Sequence, residues 1–198
     1  MCSECPEDFG TIYQNLARIP WTDRALQGEY AMPSNKSAPS PVSGRQLLRH
    51  TLATLAYRGG KAFRGAPSDF AAFQVGESSR TPGQILSHIG DLLDWGLALA
   101  QGNEKWRSSK PLSWEKGVGR FFDSLKAFDD FLAAESPLQH PAERLFQGPI
   151  ADAFTHVGQI SMLRRLAGAP VRGENYNQSV IVAGSVGPRQ PAPASEFD

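Results

Sequence analysis

The sequence predicts an all-α protein in which four helices share one core. Three observations support this fold class. Apolar residues recur at helical spacing in four stretches, near residues 43–64, 81–101, 113–136 and 149–166. The 19 glycines and 15 prolines imply substantial loop, and most of the prolines lie between these stretches or at the ends. At 198 residues, with 40% apolar side chains, the chain is long enough for one full core and too short for two ordinary domains.

The first predicted helix begins after Ser43 and carries Leu48, Leu52 and Leu55 at helical spacing. Two consecutive glycines, at positions 59 and 60, weaken the pattern. The helix is expected to continue to residue 63 or 64, before the break at Pro67.

The second predicted helix has a well-marked start. Thr81 is followed by Pro82 at the first helical position and by Gln84 at the third, which is the capping-box arrangement. The apolar stripe continues to about Gln101, and Gly102 ends the helix.

The third predicted helix starts near Ser113 and ends near Ser136, and its phenylalanines at helical spacing are expected in the core. In the loop before the second helix, Phe70 and Phe73 need a buried place. We expect them to pin this loop to the end of the helices; a lid over a pocket is the alternative.

The fourth predicted helix spans Pro149 to Leu166, with Pro149 in its first turn and Arg164 near the end, where a cation suits the helix dipole. Asp152 and His156 lie four residues apart, so they share one face, which Gln159 continues. A carboxylate and an imidazole placed this way can hold a metal ion together if a third ligand comes from elsewhere.

His88 supplies that third ligand in this interpretation. It lies on the apolar stripe of the second helix, where an imidazole must satisfy two ring nitrogens away from water. Taken alone, it is expected to be a core histidine with ordinary hydrogen-bond partners. Taken with Asp152 and His156, one ion satisfies all three, and Asp91 either orients an imidazole or lies on the helix surface.

The two other histidines are not predicted as ligands. His50 falls off the apolar stripe of the first helix, and His140 precedes a proline in a loop, so both are expected to be solvated. Cys2 and Cys5 form one isolated pair near the N-terminus. We expect incidental thiols there; a metal or redox role is the alternative.

Charge and hydropathy restrict the partners and the location. With 20 basic and 20 acidic residues the formal net charge is zero, which gives no reason to expect nucleic acid or an acidic membrane surface as a partner. No apolar run approaches the roughly 20 residues that span a bilayer. The N-terminus lacks the pattern of a signal peptide, so a cytoplasmic protein is expected.

The chain divides into three predicted regions. Residues 1–41 are an extended, proline- and serine-rich lead-in that is expected to lie on the domain surface, and residues 42–170 hold the four helices. Residues 171–198 form a tail without helical period that is expected to pack back over the helices. The end of the tail, from Pro191, is a candidate for disorder.

Two segments in this order, residues 82–91 with His88 and residues 152–160 with Asp152 and His156, resemble the DinB-like superfamily of metal-dependent proteins. The resemblance covers residues 43–170. It implies an up-down four-helix bundle, often paired as a homodimer, with three protein ligands on one divalent ion. Asp152 stands where the family usually has histidine, and the resulting two-histidine, one-carboxylate set suits zinc, nickel, iron or manganese.

The resemblance also implies a function. Members include transferases and isomerases that use a low-molecular-weight thiol such as bacillithiol or mycothiol. We therefore expect a metal-dependent transferase or hydrolase that acts on a small-molecule substrate through a metal-bound thiolate or hydroxide. The alternative is a non-catalytic metal-binding or partner-binding bundle of the stress-response type. Catalytic residues are not assigned, and Asp91, Tyr57 and Glu174 are the candidates for acid–base help.

Overall fold

Helices form nearly all the regular secondary structure in residues 42–197, the part of the chain that the computed structural model describes. The helices are α1 (Gly44–Phe63), α2 (Pro82–Ala100), α3 (Trp114–Ala133), α4 (Ala142–Leu145) and α5 (Ala151–Leu166), with short 3-10 turns at Phe70–Ala72 and Tyr176–Gln178. The protein is all-α, as predicted. No helix in residues 42–197 is long and apolar enough to cross a membrane. The predictions for residues 1–41, including Cys2 and Cys5, lie outside the described range.

Capping side chains explain where the first two long helices begin. The Ser43 hydroxyl accepts a hydrogen bond from the backbone N–H of Gln46, whose side chain accepts from the N–H of Ser43, both at 3.1 Å. Thr81 and Gln84 make the same reciprocal pair at the start of α2. Each pair satisfies backbone donors that the first helical turn leaves free. The predicted starts of α1 and α2 are therefore confirmed.

The prediction that Pro149 opens the last helix is wrong. Helical structure begins seven residues earlier, at Ala142, and passes from α4 into α5 through a π-helical turn over Phe146–Ile150 that contains Pro149. Proline has no N–H and its ring clashes with the preceding turn, so an uninterrupted α-helix cannot pass through it. The wider π-helical turn accommodates the proline. The regular helix α5, which carries Asp152, begins directly after it.

The four long helices are neighbours in a simple pattern: α2 packs against α3 and α5, and α1 packs against the same two helices. Their shared core is apolar, and Phe121, Phe128 and Ile89 are among its fully buried side chains. Phe70 closes one end, 1% exposed, with its ring 5.2 Å from that of Trp114. The predicted pinning of the loop by Phe70 is therefore observed.

The C-terminal tail lies against the helices through a small number of contacts. Its strands β1 (Gly173–Glu174) and β2 (Glu196–Phe197) form an antiparallel ladder. Val186 is 4% exposed and belongs to the same apolar cluster as the helices. The structure describes an ordered backbone as far as Phe197, where the sequence allows disorder.

Glu174 fastens this tail to α1. Its buried carboxylate accepts hydrogen bonds from Tyr57 Oη at 2.6 Å, Lys61 Nζ at 2.6 Å and Ser179 Oγ at 2.7 Å. Burial by itself raises the pKa of Glu174, but these donors outweigh it and the pKa lies below its ordinary range.

This lowered pKa predicts a stability that depends on pH. Because the unfolded chain binds the Glu174 proton more readily than the folded chain, the contribution is fully present above the ordinary glutamate pKa and is lost as the pH falls through the folded value. Glu174→Gln should lower the free energy of unfolding by about 1 to 3 kcal/mol at pH 7, and it should flatten the loss of stability below pH of about 4.3. Urea unfolding at several pH values measures both effects. Glu77→Gln, at an exposed loop position, is the control, and an equal acid response in all three proteins would contradict the prediction.

Candidate metal centre

Three ligand-type side chains meet between α2 and α5. His88 projects from α2, and Asp152 and His156 project from successive turns of α5, which packs against α2. One ligand atom from each residue lies within 4.8 Å of the others. The structure therefore brings together the three residues predicted as metal ligands, and this group can hold a metal ion.

The Asp152 carboxylate lies between the two imidazoles. Its Oδ1 is 3.5 Å from His156 Nε2 and its Oδ2 is 3.7 Å from His88 Nε2. These separations are longer than direct hydrogen bonds. Two donor atoms that share a tetrahedral ion are roughly 3.4 Å apart, given metal–ligand distances of about 2.0–2.1 Å. The two Asp152–histidine separations are close to this value, while the widest pair of ligand atoms, within 4.8 Å, would have to draw closer to share one ion.

Gln159 orients one of these imidazoles. His156 Nδ1 is 2.7 Å from Gln159 Oε1. Because an amide oxygen only accepts, His156 Nδ1–H donates this hydrogen bond to Gln159 Oε1. The lone pair is left on Nε2, the nitrogen that faces Asp152, as metal coordination requires.

His88 is held in the neutral form that binds metals. Burial lowers the pKa of its imidazole, and the nearby His156 and Arg80 lower it further, against the opposing charges of Asp152 and Asp91. An imidazole with a lowered pKa is unprotonated near neutral pH and has a lone pair available.

Asp91 is buried and makes hydrogen bonds to other elements of the fold. It is 5% exposed, so the helix-surface alternative is wrong. Its carboxylate accepts from Arg120 Nη2 at 2.7 Å and from the backbone N–H of Ser109 at 2.9 Å. Asp91 thus ties α2 to α3 and to the following loop, while its charge acts on His88 through space.

Two tryptophans that were not among the predicted site residues border the site. Trp106 comes from the polar loop between α2 and α3, and its ring lies edge-on 5.6 Å from the His88 ring and 5.6 Å from that of Trp95. The sequence does show a tryptophan, Trp106, in an otherwise polar loop. Only the folded structure shows which rings Trp106 contacts.

Each ligand residue lines a cleft. His88 lines one of about 310 Å³ together with Arg80, and Asp152 lines one of about 430 Å³ together with Trp95. His156 lines a third, of about 480 Å³, mostly beside apolar side chains. The three ligand residues therefore line three separate clefts.

The remaining candidates lie elsewhere. His140 faces Glu104, with Nε2 3.3 Å from Oε1, and His50 is exposed, so neither joins the group. Tyr57 and Glu174, which the sequence offered for acid–base help, hydrogen-bond to each other and line none of the three clefts.

Comparisons with protein-family models, with curated proteins and with solved structures found no match to this chain.

Proposed function

We propose that the protein is a metal-dependent enzyme of the DinB-like kind, with one divalent ion held by His88, Asp152 and His156. The observation that carries the proposal is the convergence of two imidazole nitrogens and one carboxylate from two packed helices. We also propose that the four long helices, α1, α2, α3 and α5, form the up-down bundle that the resemblance implies. Zinc, nickel, iron and manganese all suit this donor set.

The number of ligands favours a catalytic centre over a structural one. Within residues 42–197 the group consists of three residues, whereas structural zinc sites are usually closed by four protein ligands. An ion held by three protein ligands would keep a position for water or a substrate, and His88 and Asp152 each line a cleft.

The residues of the site have different roles. A bound divalent ion would lower the pKa of a water or thiol and so supply a nucleophile near neutral pH. Asp152 contributes the negative charge of the donor set, Gln159 fixes the orientation of the His156 ring, and Trp106 contacts the His88 ring. The reaction class is transfer to or from a low-molecular-weight thiol, or hydrolysis.

Elemental analysis of the purified protein, together with an activity screen, tests this function. We expect about one equivalent of a divalent metal, and turnover with bacillithiol, mycothiol or glutathione, or of ester and amide substrates, that is lost on chelation and restored by the metal. A bound metal without turnover would favour the non-catalytic bundle. Absence of a metal after reconstitution with each of the four ions would overturn the proposal.

Gln159 provides a test of the hydrogen bond to His156. Gln159→Leu removes the acceptor for the Nδ1 proton, so the ring is no longer oriented, and metal affinity should fall by about 10 to 100-fold. Competition titration with a chromophoric chelator measures the affinity. Gln178→Leu makes the same chemical change on the exposed tail and should leave affinity unaltered. Equal affinities for both variants would show that Gln159 does not support the site.

A further inference from the structure

A cavity of about 600 Å³ lies beside the candidate metal centre, between α2 and the loop that joins α2 to α3. Lys105, Arg107 and Lys110 of the loop line it, together with Arg120 of α3. None of these residues is used by the proposed function.

The lining has an excess of positive charge, although the whole chain has none. Its two carboxylates belong to Asp91 and Asp94, and both are paired with Arg120, at 2.7 and 2.6 Å. The side chains of the three loop cations make no ion pair or hydrogen bond with any other residue in 42–197. They are therefore free to bind an anion from solution.

The loop that carries these cations is held in place from both sides. The Ser109 N–H donates to Asp91 Oδ2 at 2.9 Å, and the Ser109 carbonyl accepts from Ser87 Oγ at 3.2 Å. Trp106 contacts the rings of His88 and Trp95. The loop is thus anchored to α2 on either side of Arg107, which reduces the entropy lost when its side chains close on a ligand.

The cavity is continuous in its lining with the clefts of the metal centre. Trp95 lines both the cavity and the cleft of Asp152, and Asp91 and Ser109 line both the cavity and the cleft of His88. The cavity therefore adjoins the clefts of His88 and Asp152 through these shared residues.

We propose that this cavity binds an anionic group, a carboxylate or a phosphate, of the small-molecule substrate whose reactive end lies at the metal centre. Only the placement of the reactive end at the metal centre rests on the proposed function; the binding of the anionic group does not. Arg107 offers planar paired donors to a carboxylate or phosphate, and Lys105 and Lys110 add two point charges. Trp95 supplies an apolar wall between the two ends.

The experiment titrates the full-length, metal-free protein separately with inorganic phosphate and with acetate at constant ionic strength. Chemical shifts of backbone amides and of the tryptophan indoles report binding. We expect saturable shifts centred on residues 103–110 and on Trp95. The triple variant Lys105→Gln, Arg107→Gln, Lys110→Gln should bind at least about tenfold more weakly, because it removes three cations of the cavity lining and their charge-assisted hydrogen bonds to the anion.

A matched variant removes the same number of positive charges outside the cavity: Lys116→Gln, Lys126→Gln, Arg165→Gln. It should bind like the wild type. Saturable binding of either anion at residues 103–110 supports the site. The proposal is overturned if the wild type shows no saturable shifts, if they centre elsewhere, or if the two triple variants bind equally.

Because the protein in this titration is free of metal, the two proposals fail separately. Loss of the proposed function would appear as a lack of metal in reconstituted protein, while the shifts near residues 103–110 persist. Loss of the anion site would appear as missing shifts in a protein that still binds its metal.

Discussion

Alanine at His88 or at His156 is expected to abolish stoichiometric metal binding. Each substitution leaves a three-ligand site with two ligands, one of them the exposed Asp152. Loss of a residue that only supports a ligand already weakens binding by about 10 to 100-fold, so loss of a ligand should exceed about 100-fold. Elemental analysis after reconstitution and a zinc titration measure the change. Helical content from circular dichroism should stay close to that of the wild type.

The chain supplies its own controls for this experiment. His50→Ala and His140→Ala remove the two histidines outside the group and should retain the full metal content. Asp152→His, which makes the three-histidine set that the resemblance implies, should also retain metal, whereas Asp152→Ala should lose it. Stoichiometric metal in His88→Ala or His156→Ala would refute the assignment of the site.

Arg164→Ala is expected to cause the largest loss of stability among the substitutions considered. The buried guanidinium donates to four backbone carbonyls, those of Ala62, Arg64, Gly65 and Ala169, at 2.9 to 3.0 Å. It therefore satisfies carbonyls that the C-terminal end of α1 leaves without helical partners, and it joins that end to the chain after α5. Burial lowers the pKa of Arg164, but an arginine stays charged.

The expected decrease in the free energy of unfolding is about 3 to 5 kcal/mol, because alanine leaves several buried carbonyls unsatisfied. Urea unfolding at pH 7 measures it. Arg165→Ala changes the exposed neighbour and should alter stability by less than about 0.5 kcal/mol. Arg164→Lys keeps the charge without the planar fork and should fall between them. Equal stability of the two alanine variants would contradict this role.

Local patterns determined most of the helical structure. The capping residues Ser43 and Thr81 each act within three positions of the chain, so the starts of α1 and α2 can be deduced from neighbouring residues alone. The spacing of Asp152 and His156 likewise defines one helix face before anything is known of the fold.

Local patterns were insufficient where the same residue pattern is compatible with two different structures. A proline such as Pro149 marks either the first turn of a helix or a break within it, and the residues beside it do not decide between them. The helix continues upstream because Leu145 and Ile150 are both fully buried, which only the packed core shows. Tertiary packing thus determined where this helix begins.

The sequence by itself determined an all-α protein and three ligand-type residues on two helices, because both depend on spacing along single helices. Only the tertiary structure decided that those residues converge within 4.8 Å and that Asp91 pairs with Arg120. It also decided that the loop cations line a cavity beside the site. These contacts join residues from different helices and loops. Their positions depend on how α2, α3 and α5 pack against one another, and the periodicity of a single segment does not specify that packing.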